Sequence, residues 1–166
     1  MKDSEGFRIG VLTLSDKGAR GEREDISGQV LREMVAGLGE VTHYQVIPDD
    51  VETIVETLVK WVDEEHLDLI LTTGGTGLSP RDVTPTATRR VIDWDIPGIA
   101  EAMRSASLEK TPHAMLSRAL AGVRNRAMII NLPGSPKGVR ENLEVVLPAL
   151  GHGLKKLKGD PEDCAR

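Results

Sequence analysis

Residues 67–82 read L-D-L-I-L-T-T-G-G-T-G-L-S-P-R-D, an apolar run that leads directly into three closely spaced glycines. A short run of this kind bounded by glycine is the pattern of a buried strand. Glycine lets the backbone turn tightly and bring its N–H groups close to a ligand. Successive N–H groups in such a turn form a nest that attracts anions. In open parallel sheets the ligand crevice lies at the carboxyl ends of the strands. Residues 72–82 therefore predict an anion site, with a plain strand-to-helix turn as the alternative. Three threonines and the downstream Arg81 weigh toward the anion. Two familiar phosphate loops do not fit. No Lys-Ser or Lys-Thr follows the glycines as a Walker loop requires, and Pro80 stands where a dinucleotide fingerprint needs its third glycine.

Upstream, residues 7–14 (F-R-I-G-V-L-T-L) predict a buried strand, and the S-D-K-G-A-R-G that follows predicts a flexible loop. Ile26, Val30, Leu31, Met34, Val35 and Leu38 recur at helical spacing, with Gly37 and Gly39 as stop signals. Residues 41–47 form a second strand candidate closed by Pro48, and Val51, Ile54, Val55, Leu58, Val59 and Val62 mark one face of a helix with Asp49 or Asp50 at its N-cap. Strand, helix, strand, helix, strand points to an α/β fold: three layers, α/β/α, around a mostly parallel central sheet. Downstream, residues 84–92 and 97–108 predict helices, residues 126–130 a strand, and Val139 to Leu150 a last amphipathic helix. Absence of repeats and linkers predicts a single domain over 1–166, with residues 158–166 a loose tail.

The chain has 166 residues, 39% hydrophobic and 28% charged, which suits a self-sufficient globular core. Its net charge of −5 speaks against nucleic acid as a partner. Cys164 is the only cysteine, so an internal disulfide is ruled out. No run of 18 apolar residues and no signal-peptide pattern occurs, and a soluble cytoplasmic protein without membrane partners is expected.

Asp82 beside an anion loop would repel the ligand unless a divalent cation lay between them, and magnesium commonly takes one or two carboxylates plus phosphate oxygens. Its alternative is a cap on the helix beginning near Thr84. Asp49 carries the same ambiguity: with Glu52 it resembles a capping box, yet it ends a strand on the same sheet edge. Two carboxylates converging on one crevice suit a metal better than two unrelated caps. Residues 131–138 (N-L-P-G-S-P-K-G) read as a strand end followed by a helix that Ser135 caps and Pro136 begins. A helix start facing the crevice would also attract anions. The four histidines are scattered without metal-ligand spacing, and no nucleophile elbow is present.

L-T-L-S-D at 12–16, P-D-D at 48–50, T-T-G-G-T-G-L-S-P-R-D-V-T-P at 72–85 and N-L-P-G-S-P-K-G together resemble the molybdopterin adenylyltransferase family of the MogA/MoaB type. They are also similar to the G domain of gephyrin. That resemblance implies a homotrimer that uses ATP and Mg²⁺ to adenylylate molybdopterin, releasing pyrophosphate. It implies catalytic roles for Asp49 and Asp82, which on the chemistry above would also hold the metal. Thr73, Gly74, Gly75, Thr76 and Gly77 would line the pterin or phosphate pocket. Ser15 and Asp16 would lie near the nucleotide, and Pro133, Gly134 and Ser135 would complete the pocket. Arg81 or Lys137 would offset phosphate charge. Glu101, Met115, Leu116, Ser117 and Arg118 fall in family-like stretches without an assigned role. Other cofactor-assembly proteins are conceivable partners, and a non-catalytic molybdopterin carrier of the same fold is the alternative function.

Overall fold

The first strand, β1 (Phe7–Leu14), is buried along its length from Ile9 onward, and that burial follows from its position in the sheet. In the computed structural model, which describes residues 6–162, β1 lies between two parallel neighbours, β2 (Gly39–Ile47) and β3 (Leu69–Thr73). With β6 (Ala127–Leu132), β5 (Ala121–Arg124) and the two-residue β4 (Trp94–Asp95) they form one six-stranded sheet of order β2-β1-β3-β6-β5-β4. The first four strands are parallel, and β5 runs antiparallel to both of its neighbours.

Helices cover both faces. On one side Ile9, Val11, Leu69, Leu71 and Ile130 pack against α2 (Ile26–Met34), α5 (Pro97–Leu108) and α6 (Pro136–Leu157). On the other, Leu12, Ile70 and Ile129 pack against α3 (Val51–Asp63) and α4 (Thr84–Val91). Successive strand residues point to opposite faces, so the unbroken apolar runs of β3 and β6 supply both cores. The architecture is the expected three-layer α/β/α sandwich.

Several local expectations change. Residues 16–19 are not a loose loop but a short helix, α1 (Asp16–Ala19), because the Ser15 hydroxyl accepts a hydrogen bond from the Gly18 N–H at 3.0 Å. β3 starts two residues later than residues 67–71 suggested and runs on through Thr73. Thr13, Thr73 and Leu132 are in register across three strands, so ladder pairing carries the strand past the apolar run. β4 and β5 were not expected. The chain turns from β5 back into β6 through Asn125, whose φ of 53 supplies the left-handed residue a tight hairpin needs. α6 closes at Leu157, and Lys158 reaches back to Asp68 at 3.1 Å. The last four residues, Cys164 among them, lie outside the described part of the chain. Among the described residues no helix is long and apolar enough to cross a membrane.

Candidate active site

Parallel pairing in register aligns the carboxyl ends of β2, β1, β3 and β6, and the chain leaves each through a polar segment. At the ends of β1 and β2 two aspartates brace one another. The Asp49 carboxylate accepts from the Asp16 N–H at 3.1 Å, and the Asp16 carboxylate accepts from the Asp49 N–H at 3.0 Å. Arg81 crosses from the glycine loop and grips Asp16 with Nε at 3.0 Å and Nη2 at 2.8 Å. This pairing, together with the Asp49 N–H, holds the Asp16 carboxyl below its ordinary pKa. Arg81 is thus engaged by Asp16.

The glycine loop begins at Gly74, because Thr72 and Thr73 belong to β3. The Thr73 hydroxyl donates to the Pro133 carbonyl at 2.7 Å, tying β3's end to the loop after β6. Gly74 and Gly75 have φ of 99 and 68, a region side chains disfavour. Space excludes them too: a Cβ on Gly74 would lie 2.5 Å from the Leu14 carbonyl oxygen, and one on Gly75 2.3 Å from Thr84 Oγ1. Thr84 is fully buried, and its hydroxyl donates to the Gly74 carbonyl at 2.9 Å. The Gly74 N–H is taken by the Leu132 carbonyl. Among the described residues no acceptor takes the N–H groups of Gly75, Thr76 and Gly77, which leaves three successive donors for a ligand.

The capping alternatives for the two carboxylates fail. α3 is capped by Asp50, whose carboxylate accepts from the Thr53 N–H at 2.9 Å, while Glu52 pairs with Arg90. α4 has Val83 at its cap position with no side-chain hydrogen bond, and Asp82 instead accepts from the Ser79 N–H at 3.0 Å within its own loop. Both carboxylates are therefore left facing one cleft of about 540 Å³. Asp49 is half-buried there, and burial first, then the charges of Asp16 and Asp82, raise its pKa above the ordinary 3.8. A carboxylate held at a desolvation cost beside two others is a place where a cation is welcome. Among the described residues no group of three or more histidine, cysteine or acidic side chains is placed to hold a metal unaided. A pair of carboxylates fits magnesium, which fills its remaining positions with water and substrate oxygens.

Ser15, Gly74, Gly75 and Gly134 also line this cleft. Ser135 caps α6, accepting from the Gly138 N–H at 3.0 Å, and borders a second cavity of about 430 Å³ between α5 and α6. Thr76, Gly77, Pro133 and Lys137 line the second cavity, so the glycine loop and the residue 133–135 turn form the wall between the two. Lys137 is highly exposed at its mouth.

The structure adds residues that sequence reasoning missed. Asp25 caps α2 on the cleft wall, receiving the Gly28 N–H and the hydroxyls of Thr13 and Tyr44. Burial and the Asp25 carboxylate push the Tyr44 hydroxyl up to about 12. Its signal was legible, an aspartate just before the apolar-periodic Ile26, but nothing local says that this helix start lies on the cleft. Arg104, Lys110 and His113 bring basic groups to the second cavity. His43 lies in β2 with its ring edge-on to Trp61.

Residues 10–152 match the family model of a probable molybdopterin binding domain. The chain belongs to the MogA/MoaB-type molybdopterin adenylyltransferase family. A molybdopterin adenylyltransferase of Helicobacter pylori J99 is 44% identical over 157 residues, covering 93% of this chain and 89% of the relative. That of Escherichia coli K12 is 42% identical, covering 89% of this chain and 80% of the relative. Among solved structures, the molybdopterin biosynthesis enzyme MoaB of Thermus thermophilus superposes with a TM-score of 0.87. Its identity is 56%, and 95% of this chain and 99% of that one are covered. Membership places this chain among the nucleotidyltransferases of molybdenum cofactor biosynthesis.

Proposed function

We propose that the protein transfers AMP from ATP to molybdopterin, giving adenylyl-molybdopterin and pyrophosphate. The carrying observation is that Asp49 and Asp82 cap no helix and face one cleft beside three N–H donors that no acceptor among the described residues takes. The nucleophile would be an oxygen of molybdopterin's phosphate. It forms a bond to the α-phosphorus of ATP while the bond from that phosphorus to the bridging oxygen breaks and pyrophosphate leaves. The attacking oxygen is already ionised at neutral pH, so no general base is needed and none of the four histidines is required.

Catalysis then rests on holding two anions in line and neutralising their charge. Asp49 and Asp82 would hold Mg²⁺, which when bound screens the phosphate charge. The cleft bordered by Ser15, Asp49, Gly74 and Asp82 would take the nucleotide, with Asp16 shaping its floor through Asp49. The cavity between α5 and α6, walled by Ala100, Met103 and Leu116, would take the pterin, with Thr76, Gly77 and Lys137 near its phosphate. Arg81 would act through Asp16 rather than on phosphate directly. The homotrimer belongs to the same proposal, and exposed Leu78, Trp94, Met115 and Leu116 are apolar surface that an assembly could cover.

Asp82→Asn tests the assignment. Its amide oxygen can still accept the Ser79 N–H, so the loop keeps its shape while the charge is lost. Pyrophosphate release from molybdopterin and MgATP should fall at least a hundredfold, with pterin binding nearly unchanged, on the scale of about 2.7 kcal/mol or more for an electrostatic catalytic group. Equal loss of pterin binding would sink the metal-holding role.

A further inference from the structure

Arg118 makes three hydrogen bonds to the backbone of the glycine loop. Its N–H donates to the Thr76 carbonyl at 2.9 Å, its Nε to the Gly77 carbonyl at 3.2 Å and its Nη2 to the Asp82 carbonyl at 2.6 Å. No peptide bond among the described residues is cis. In a trans peptide the C=O and the following N–H point in opposite directions. Drawing the Thr76 carbonyl toward Arg118 therefore turns the Gly77 N–H away from it, and drawing the Gly77 carbonyl does the same to the Leu78 N–H. Arg118 stands by Pro85, Thr86 and Arg89 of α4, whereas Thr76 and Gly77 line the cavity between α5 and α6, which Arg118 does not line.

We propose that Arg118 is a positioning residue that sets how tightly the glycine loop holds the phosphate of the pterin substrate. This rests on the pterin assignment made above. The planar guanidinium reaches two carbonyls at once from Nε and Nη2, a geometry that a lysine ammonium does not reproduce. Among the described residues Arg118 has no carboxylate partner, so its charge stays behind these peptides and polarises their N–H groups toward an anion. The bond to the Asp82 carbonyl fixes the backbone of the residue whose carboxylate faces the other cavity. The Thr76 bond comes from the Arg118 main chain, and the side chain couples the Gly77–Leu78 peptide, with its outward N–H, to the proposed metal-holding group without touching either ligand.

The test uses the full chain and two probes, a phosphorylated pterin and the same pterin without its phosphate, titrated calorimetrically against wild type, Arg118→Gln and Arg118→Lys. The main-chain bond to Thr76 survives the substitution, so loss of the two side-chain bonds, which frees the Gly77–Leu78 peptide, and of the charge behind it predicts about a ten- to hundredfold weaker Kd for the phosphorylated probe in Arg118→Gln. The dephosphorylated probe should bind within about twofold of wild type, and Arg118→Lys should fall between because it keeps charge and one bond. Where the glutamine variant does not fold, the lysine variant carries the same comparison. Equal weakening for both probes would mark a merely structural contact and overturn the proposal, as would unchanged affinity for the phosphorylated probe. A wild type that ignores the phosphate would overturn the pterin assignment as well, a result distinct from variants that behave like a phosphate-sensitive wild type.

Discussion

Gly75→Ala probes the glycine loop without altering any charged group. The backbone at Gly75 has φ of 68, and holding alanine in that region costs about 1–2 kcal/mol. The new Cβ would also lie 2.3 Å from Thr84 Oγ1 and 3.3 Å from Asp49 Oδ1. Thr84 has no exposed surface, so its hydroxyl cannot swing into solvent, and displacing it breaks the 2.9 Å bond to the Gly74 carbonyl. A buried acceptor left without its donor costs about 1–3 kcal/mol. Together the terms predict a loss of about 2–5 kcal/mol, or a fall in Tm of roughly 5–15 °C for a domain of this size. Urea unfolding of wild type, Gly75→Ala, Thr84→Ala and the double variant separates them. In the Thr84→Ala background the overlap is gone, so alanine at 75 should cost only the conformational part. The cycle should then close with a coupling of about 1–3 kcal/mol. A single-variant cost below about 1 kcal/mol would show that neither the left-handed turn nor the Thr84 contact constrains this loop, and strict additivity in the cycle would show that the Thr84 contact does not.

Asp49 carries a pH signature. Its pKa is raised above 3.8 by burial and neighbouring charge, so its contribution to stability is present below 3.8 and is lost as pH rises through the raised value. Asp49→Asn should therefore raise the Tm of the metal-free protein at neutral pH, with the difference shrinking toward acid. Added Mg²⁺ should raise the Tm of wild type but not of the variant. Thermal scans from about pH 4 to about pH 8 check both, and a variant less stable than wild type at neutral pH would refute the direction. Asn131 is fully buried; its amide donates to Thr72 and Thr88 at 3.0 Å, and its oxygen accepts the Leu120 N–H at 3.3 Å. Asn131→Ala strands these partners and should cost about 2–4 kcal/mol in urea unfolding; a cost under about 1 kcal/mol would mean the network is not structural.

The sequence by itself determined the class of fold and pointed to the candidate site. Alternating strand and helix patterns, and an apolar run ending in glycines, are local properties, and local backbone preferences express them directly. So are Ser135 and Pro136 at the start of α6, which cap and begin the helix as expected. Asp49 and Asp82 stood out because a carboxylate beside an anion loop is locally incongruous. Only the tertiary structure decided what those residues are free to do. Asp50 rather than Asp49 caps α3, a choice between adjacent aspartates that no pattern resolves. Arg81 is held by Asp16, 65 residues away in sequence, and Arg118 reaches carbonyls 36 and 41 positions back. The four-residue β5 has too little pattern to be seen alone and exists because β6 offers it an edge. Residues 72–82 therefore predicted where an anion could sit. Which N–H groups are left to receive it, and which carboxylates face it, depends on pairings between segments far apart in the chain.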